Sequence, residues 1–126
     1  MVIAKSRKEK FLMDVNTGCD NLVGDAGVGG GGSGKYTVPF DFICAGFACC
    51  MNINVRRILE KKQIPFDDIT IKVEGNITEG KVKYNYHVDI VAPNLSQAEK
   101  EACIAEAFDC STMRKVLTGE VSFTRE

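Results

Sequence analysis

The sequence predicts an α+β protein with the element order β-β-α-β-β-α-α-β, a single domain over residues 1–126, and three observations carry that expectation. The stretch from Pro39 to Lys62 is apolar or small at every position from Phe42 to Met51, and charges return only at Arg56. After it, Ile69, Ile71 and Val73 alternate with polar residues, and Val82, Tyr84, Tyr86, Val88 and Ile90 do so again. That is the period of half-buried strands. Ser96 with Glu99 three residues on then forms a capping box, which opens another helix.

Taken in order, Lys5 to Lys10 is a short run of mixed sign and reads as a solvated arm. Phe11, Met13 and Val15 alternate, as do Cys19, Asn21 and Val23, around Thr17-Gly18, which predicts a hairpin with Cys19 as a small half-buried strand residue. Residues 24–37 are dense in glycine and fit two nucleotide patterns in part. Gly27, Gly29 and Gly32 have the dinucleotide spacing, and Gly29 to Lys35 has most of a phosphate loop. The phosphate loop needs Ser or Thr after the lysine and a helix starting there, whereas Tyr36 follows and the helix waits for Pro39. A mobile loop leading into the long helix is the simpler reading.

Pro39 suits a first helical turn, Asp41 the positive end of its dipole, and Ile64-Pro65 a stop. The result is one helix of roughly 24 residues, about 36 Å long. Residues 40, 43, 44, 47, 51, 55 and 58 form one apolar face, and 42, 46, 49 and 53 a second, so the helix needs cover on two sides. Between Asp41 and Arg56 lie 14 uncharged residues, short of the approximately 20 a membrane span requires, and no span is expected.

Gly75-Asn76 and Glu79-Gly80 bracket a reversal between the two long strands, and His87 falls on their polar face. The helix after Ser96 runs to about Phe108 with Ala98, Ala102, Ala105 and Phe108 as its packing face. A fresh helical start follows at Asp109 to Thr112, placing Cys110 near a helix N-terminus, where the dipole favours a thiolate. Glu120 to Arg125 alternates through Val121 and Phe123 as a closing strand.

The chain is 44% hydrophobic and 26% charged with a net charge of -1, which argues against a broad electrostatic footprint for nucleic acid or anionic membrane. Its start shows no apolar stretch followed by a small-residue cleavage site, so the expected location is the reducing cytoplasm. The six cysteines, at 19, 44, 49, 50, 103 and 110, are then mostly reduced thiols. None is in CxxC spacing and the chain has one His, so neither a metal nor another cofactor is expected.

Residues 39–55, with the core Ala45 to Val55, resemble the central helix of the OsmC/Ohr family (osmotically inducible protein C and organic hydroperoxide resistance protein), in which a Gly-rich approach and a Pro precede an Ala-rich run ending in Cys. Asp109 to Leu117 is similar to the second Cys motif of that family, Cys-Pro-Val-His-Arg-Thr-Leu. The resemblance implies an OsmC-like fold with a long buried central helix, an intertwined homodimer, and a thiol-dependent reductase of organic hydroperoxides reset by a dithiol reductant. Cys50 would be the peroxidatic thiol and Cys110 the resolving one, with Lys35, Phe40, Asp41 and Phe47 on the substrate side. This chain departs from the motif in three places. Phe40 and Asp41 follow Pro39 where a Glu belongs, no Arg occurs between Arg7 and Arg56, and Ser111 stands at the Pro after the second Cys. Lys35 and Asp41 carry the matching charges. The departures keep an alternative in play, a non-catalytic OsmC-like dimer that binds a small apolar ligand or a partner.

Overall fold

A computed structural model describes residues 1–126. The element order is β1 (Ile3–Ser6), β2 (Met13–Asn16), β3 (Asn21–Gly24), α1 (Pro39–Lys61), β4 (Asp68–Thr78), β5 (Lys81–Val91), α2 (Gln97–Asp109) and α3 (Thr112–Thr118), with one 3-10 turn at Val28–Gly30. The chain divides into two compact units, Met1–Ile43 and Cys44–Glu126.

In the N-terminal unit, β1, β2 and β3 form an antiparallel sheet in sequence order. The β2–β3 hairpin is the expected one, with Asn16 opposite Asn21. β1 was not expected. Ala4 pairs with Val15 and Lys5 with Asp14, although every β1 side chain is exposed. Backbone pairing holds this strand, so no burial alternation marks it. Phe11 lies outside β2 in a turn, at φ 65° and 42% exposed, and Cys19 is exposed in the turn before β3 rather than half-buried in a strand.

The helix α1 ends within one residue of its expected limit, by a backbone device that the Ile64-Pro65 signal did not disclose. Gln63 takes φ 55°, its amide donates to Glu60 O at 3.0 Å, and the Ile64 amide donates to Leu59 O at 2.9 Å. These are the two bonds of a Schellman motif, with Gln at the left-handed position usually given to Gly.

In the C-terminal unit, Phe47, Met51, Val55, Ile58 and Leu59 of α1 join Ile90, Ala92, Cys103 and Ala107 in one buried cluster, flanked by Ile69, Ile71, Val73 and Val88. By length and composition α1 would also serve as a membrane span. A core helix has the same composition, and the packed face of α1 is that of a core helix. The second face is open in its later part, with Cys49 exposed and Ile53 49% exposed, while Phe42 and Gly46 on the same face are half-buried.

β4 and β5 pair along their full length, Asp68 opposite Val91 through Thr78 opposite Lys81. The reversal is Glu79-Gly80 alone, both at positive φ (51° and 73°), the signature of a two-residue type I′ turn. Gly75 and Asn76 are ordinary paired strand residues opposite Tyr84 and Lys83.

The capping box at Ser96 and Glu99 forms as expected, the Ser96 hydroxyl accepting from the Glu99 amide and the Glu99 carboxylate from the Ser96 amide. The packing face of α2 is different from the expected one. Cys103 and Ala107 are buried with Ile104 and Phe108 beside them, while Ala98, Ala102 and Ala105 are exposed. The inward stripe runs through 103, 104, 107 and 108, so Ala107 is buried while the other three alanines are not. After Thr118 the chain has no regular structure, and Val121 and Phe123 are 64% and 94% exposed, so the expected closing strand is not formed here.

Candidate site at Cys50

Cys50 lies in the middle of α1, half-buried, one turn after Phe47. Gly46, four residues earlier, gives α3 room to lie close: a Cβ there would stand 3.4 Å from Met113 Cε. The start of α3 therefore addresses Cys50. The Ser111 hydroxyl donates to Cys50 Sγ at 3.4 Å, and the amides of Met113 and Thr112 face the same sulfur. Burial pushes the Cys50 thiol up. The Met113 amide, the Ser111 hydroxyl, the Thr112 amide and the Arg57 charge outweigh it and bring the thiol below its ordinary value. Cys50 is too far along α1 for that helix's own dipole to contribute, because the effect fades beyond the first turn.

The α2–α3 junction that carries these donors is pinned on all sides. Each of the last four carbonyls of α2 has a partner, where an isolated helix would leave them to water. Glu106 O accepts the Cys110 amide at 3.1 Å, and Ala107 O accepts Asn54 Nδ2 of α1 at 3.1 Å. Phe108 O accepts the Ser111 amide and Arg114 Nε, at 3.1 and 3.0 Å, and Asp109 O accepts Arg114 Nη2 at 3.1 Å. Asn54 thus ties the end of α2 to the helix that bears Cys50, and Arg114 ties it to α3.

Cys110 is the C-cap of α2, not the start of α3, and its exposed thiol donates to Glu106 O at 2.7 Å. The N-cap is Ser111, one residue later, whose hydroxyl accepts from the Arg114 amide at 3.1 Å. The donors at the start of α3 are therefore directed at Cys50, where the sequence had placed Cys110.

An apolar cavity of 170 Å³ opens beside this junction, lined by Phe47, Tyr84, Tyr86, Phe108, Leu117 and the guanidinium-bearing Arg114. Tyr86 stacks on Phe108 at 5.4 Å, Phe47 meets both edge-on, and Arg114 sits 5.2 Å from the Phe108 ring centre. Phe47, expected on the substrate side, is 3% exposed and belongs to this aromatic cluster. Lys35, Phe40 and Asp41 belong to the N-terminal unit, Lys35 and Asp41 exposed and Phe40 half-buried.

The Gly-rich segment of that unit is built around an anion of its own. Asp25 is fully buried. Its carboxylate accepts the Ala26 amide at 2.8 Å, the Ser33 amide at 2.9 Å and the Ser33 hydroxyl at 2.5 Å. The Ser33 hydroxyl, before the other contacts, holds the Asp25 carboxyl below the usual carboxylate range. Gly32 makes the closure possible, since a Cβ there would fall 1.7 Å from Ala26 O. Amides that a phosphate loop would offer to a ligand are here taken by Asp25.

Sequence reasoning missed Ser111, Asn54 and Arg114 as parts of the site. Ser111 carried a usable signal, a Ser directly before a helical start, the commonest N-cap chemistry.

A reduced, half-buried cysteine at mid-helix, addressed by a hydroxyl and two amides from a second Cys-bearing segment, defines a protein organised around a supported thiol. The profile of the OsmC-like protein family matches residues 31–126, and the chain belongs to that family. It is 27% identical over 125 residues to organic hydroperoxide resistance protein-like 2 of Staphylococcus epidermidis, a match covering 96% of this chain and 87% of that one. Among solved structures, an OsmC-like protein from Mycoplasma pneumoniae superposes with a TM-score of 0.77 at 21% identity, over 94% of this chain and 86% of its own. An organic hydroperoxide resistance protein from Legionella pneumophila does so at 0.68 and 23%, over 94% and 90%. At these identities the structures establish the fold, which is the α+β OsmC/Ohr fold.

Proposed function

We propose that this chain is a thiol-dependent reductase of organic hydroperoxides acting in oxidative-stress defence, with Cys50 as the attacking thiol and Cys110 as the resolving one. The observation that supports this most is the donor set on Cys50 Sγ, which favours the thiolate over the thiol. The Cys50 thiolate attacks the distal oxygen of the peroxide, the O–O bond breaks, and the leaving alkoxide takes a proton from water, giving Cys50 sulfenic acid and an alcohol. The Cys110 thiol then condenses with the sulfenic acid, releasing water and forming a disulfide that a dithiol reductant reopens. Cys110 follows Glu106 O at present and must turn from that carbonyl to reach Cys50, but it adjoins Ser111, which already touches the Cys50 sulfur. The aromatic cavity beside the junction suits an apolar organic group.

The same reading makes the protein a cytoplasmic homodimer, with α1 of a second copy covering the open face at Cys49 and Ile53. No nucleic-acid or membrane partner belongs to it. Consumption of cumene hydroperoxide with dithiothreitol as reductant tests the activity. Cys50→Ser is expected to abolish it, and Cys110→Ser to stop after one turnover, at the sulfenic acid, when the peroxide is given without dithiothreitol. Mass mapping after mild oxidation should show a Cys50–Cys110 bridge, and a Cys49 or Cys44 linkage counts against the mechanism. Sedimentation at low micromolar concentration should show a dimer. The aromatic cavity also favours the second reading, a non-catalytic dimer binding a small apolar ligand, which an inactive but dimeric parent protein would support.

A further inference from the structure

Ser111 is fully buried, and its hydroxyl oxygen has two partners. It accepts the Arg114 amide at 3.1 Å and donates to Cys50 Sγ at 3.4 Å. A hydroxyl owns a single hydrogen. The capping bond from Arg114 takes one of the two acceptor sites of the oxygen and makes no use of the hydrogen, which is directed at the sulfur. A thiolate is a stronger acceptor than a thiol and has no proton of its own to place, so a donor fixed in this position discriminates between the two forms. The Thr112 and Met113 amides also face the sulfur, but they belong to the backbone and would be present with most residues at 111. The hydroxyl is the part of the arrangement that the side chain at 111 alone supplies.

We infer that Ser111 is a catalytic residue, touching the reacting sulfur and holding Cys50 as the thiolate until it attacks the peroxide; this rests on the reductase reading given above. During attack two electrons pass from sulfur to the distal peroxide oxygen, the S–O bond forms, the O–O bond breaks, and water protonates the alkoxide. The negative charge leaves the sulfur in that step, so the Ser111 bond is strongest before the attack and weaker after it. The same side chain caps α3, which couples the position of the donor to the folding of the helix start.

The test follows alkylation of Cys50 by iodoacetamide against pH in the full chain, with peptide mass mapping to separate Cys50 from the other thiols. Ser111→Ala removes the donor and the cap. Ser111→Thr keeps both. Ser111→Asp keeps the capping acceptor, removes the donor and sets a negative charge beside the sulfur. At pH 7 Ser111→Ala should alkylate about three- to tenfold more slowly than the parent, as loss of one hydrogen bond implies, and approach it at high pH. Ser111→Thr should stay within about twofold of the parent, and Ser111→Asp should be slower still despite an intact helix start. Unchanged alkylation in Ser111→Asp, or a Ser111→Thr profile as shifted as that of Ser111→Ala, overturns the role of Ser111 while leaving any peroxide consumption by the parent standing. A parent that consumes no cumene hydroperoxide while the alkylation shifts are present overturns the reductase reading and, with it, the catalytic role.

Discussion

Replacing Arg114 with Ala should loosen the junction that holds Ser111 against Cys50. Three contacts disappear: Nε to Phe108 O at 3.0 Å, Nη2 to Asp109 O at 3.1 Å, and the guanidinium 5.2 Å from the Phe108 ring centre. The Phe108 bond is partly buried and charge-assisted, about 1.5 kcal/mol at the lower end for such bonds. The Asp109 bond is exposed, so water replaces it at a loss of about 0.5 kcal/mol. The ring contact adds about 0.5–1 kcal/mol, and the better helix propensity of Ala returns a few tenths. The net loss is about 2–2.5 kcal/mol, with Ser111 N still bonded to Phe108 O. In urea, with a slope of about 1.5 kcal/mol/M, the midpoint should fall by about 1.5 M. Arg114→Lys keeps a charge without the fork and should recover roughly half. A midpoint for Arg114→Ala within about 0.3 M of the parent would refute the assignment, because it would mean that water satisfies these carbonyls equally well.

Phe47→Ala should be more damaging, about 3–5 kcal/mol, because the ring is 3% exposed and meets both Tyr86 and Phe108 edge-on; urea unfolding checks it, and a loss near 1 kcal/mol would mean the cavity collapses around the gap. The Asp25 clasp should be pH-dependent. Its folded carboxyl is depressed below the unfolded value of about 3.9, so the stabilisation is fully present above that value and is lost as pH falls through the lower folded one. Limited proteolysis by pepsin should therefore show residues 24–37 opening only at the acid end, and Asp25→Asn should open them to neutral proteases; protection unchanged in both would remove the clasp.

The sequence by itself determined the elements whose signal is local. The apolar run from Phe42 to Met51 reads as a helix, the alternation from Ile69 to Ile90 as a strand pair, and Ser96 with Glu99 as a helix start, and each formed within a residue or two of its expected place, although Ile43, Ala45 and Cys49 of the run are exposed. The two Cys motifs were legible for the same reason, since each is contiguous. Tertiary structure decided whatever depends on residues far apart in the chain. β1 exists through its pairing with β2, α2 buried the stripe of Cys103 and Ala107 instead of that of Ala98, Ala102 and Ala105, and the last segment formed no strand. At the site, spacing alone offered Cys110 the support of a helix start. Folding gave that support to Cys50, because a one-residue difference in where α2 ends makes Ser111 the cap of α3 and turns the Cys110 thiol back to Glu106 O. A hydrogen bond between residues 61 positions apart is set by how α1 and α3 pack, with Gly46 leaving room for Met113, and no local pattern encodes that approach.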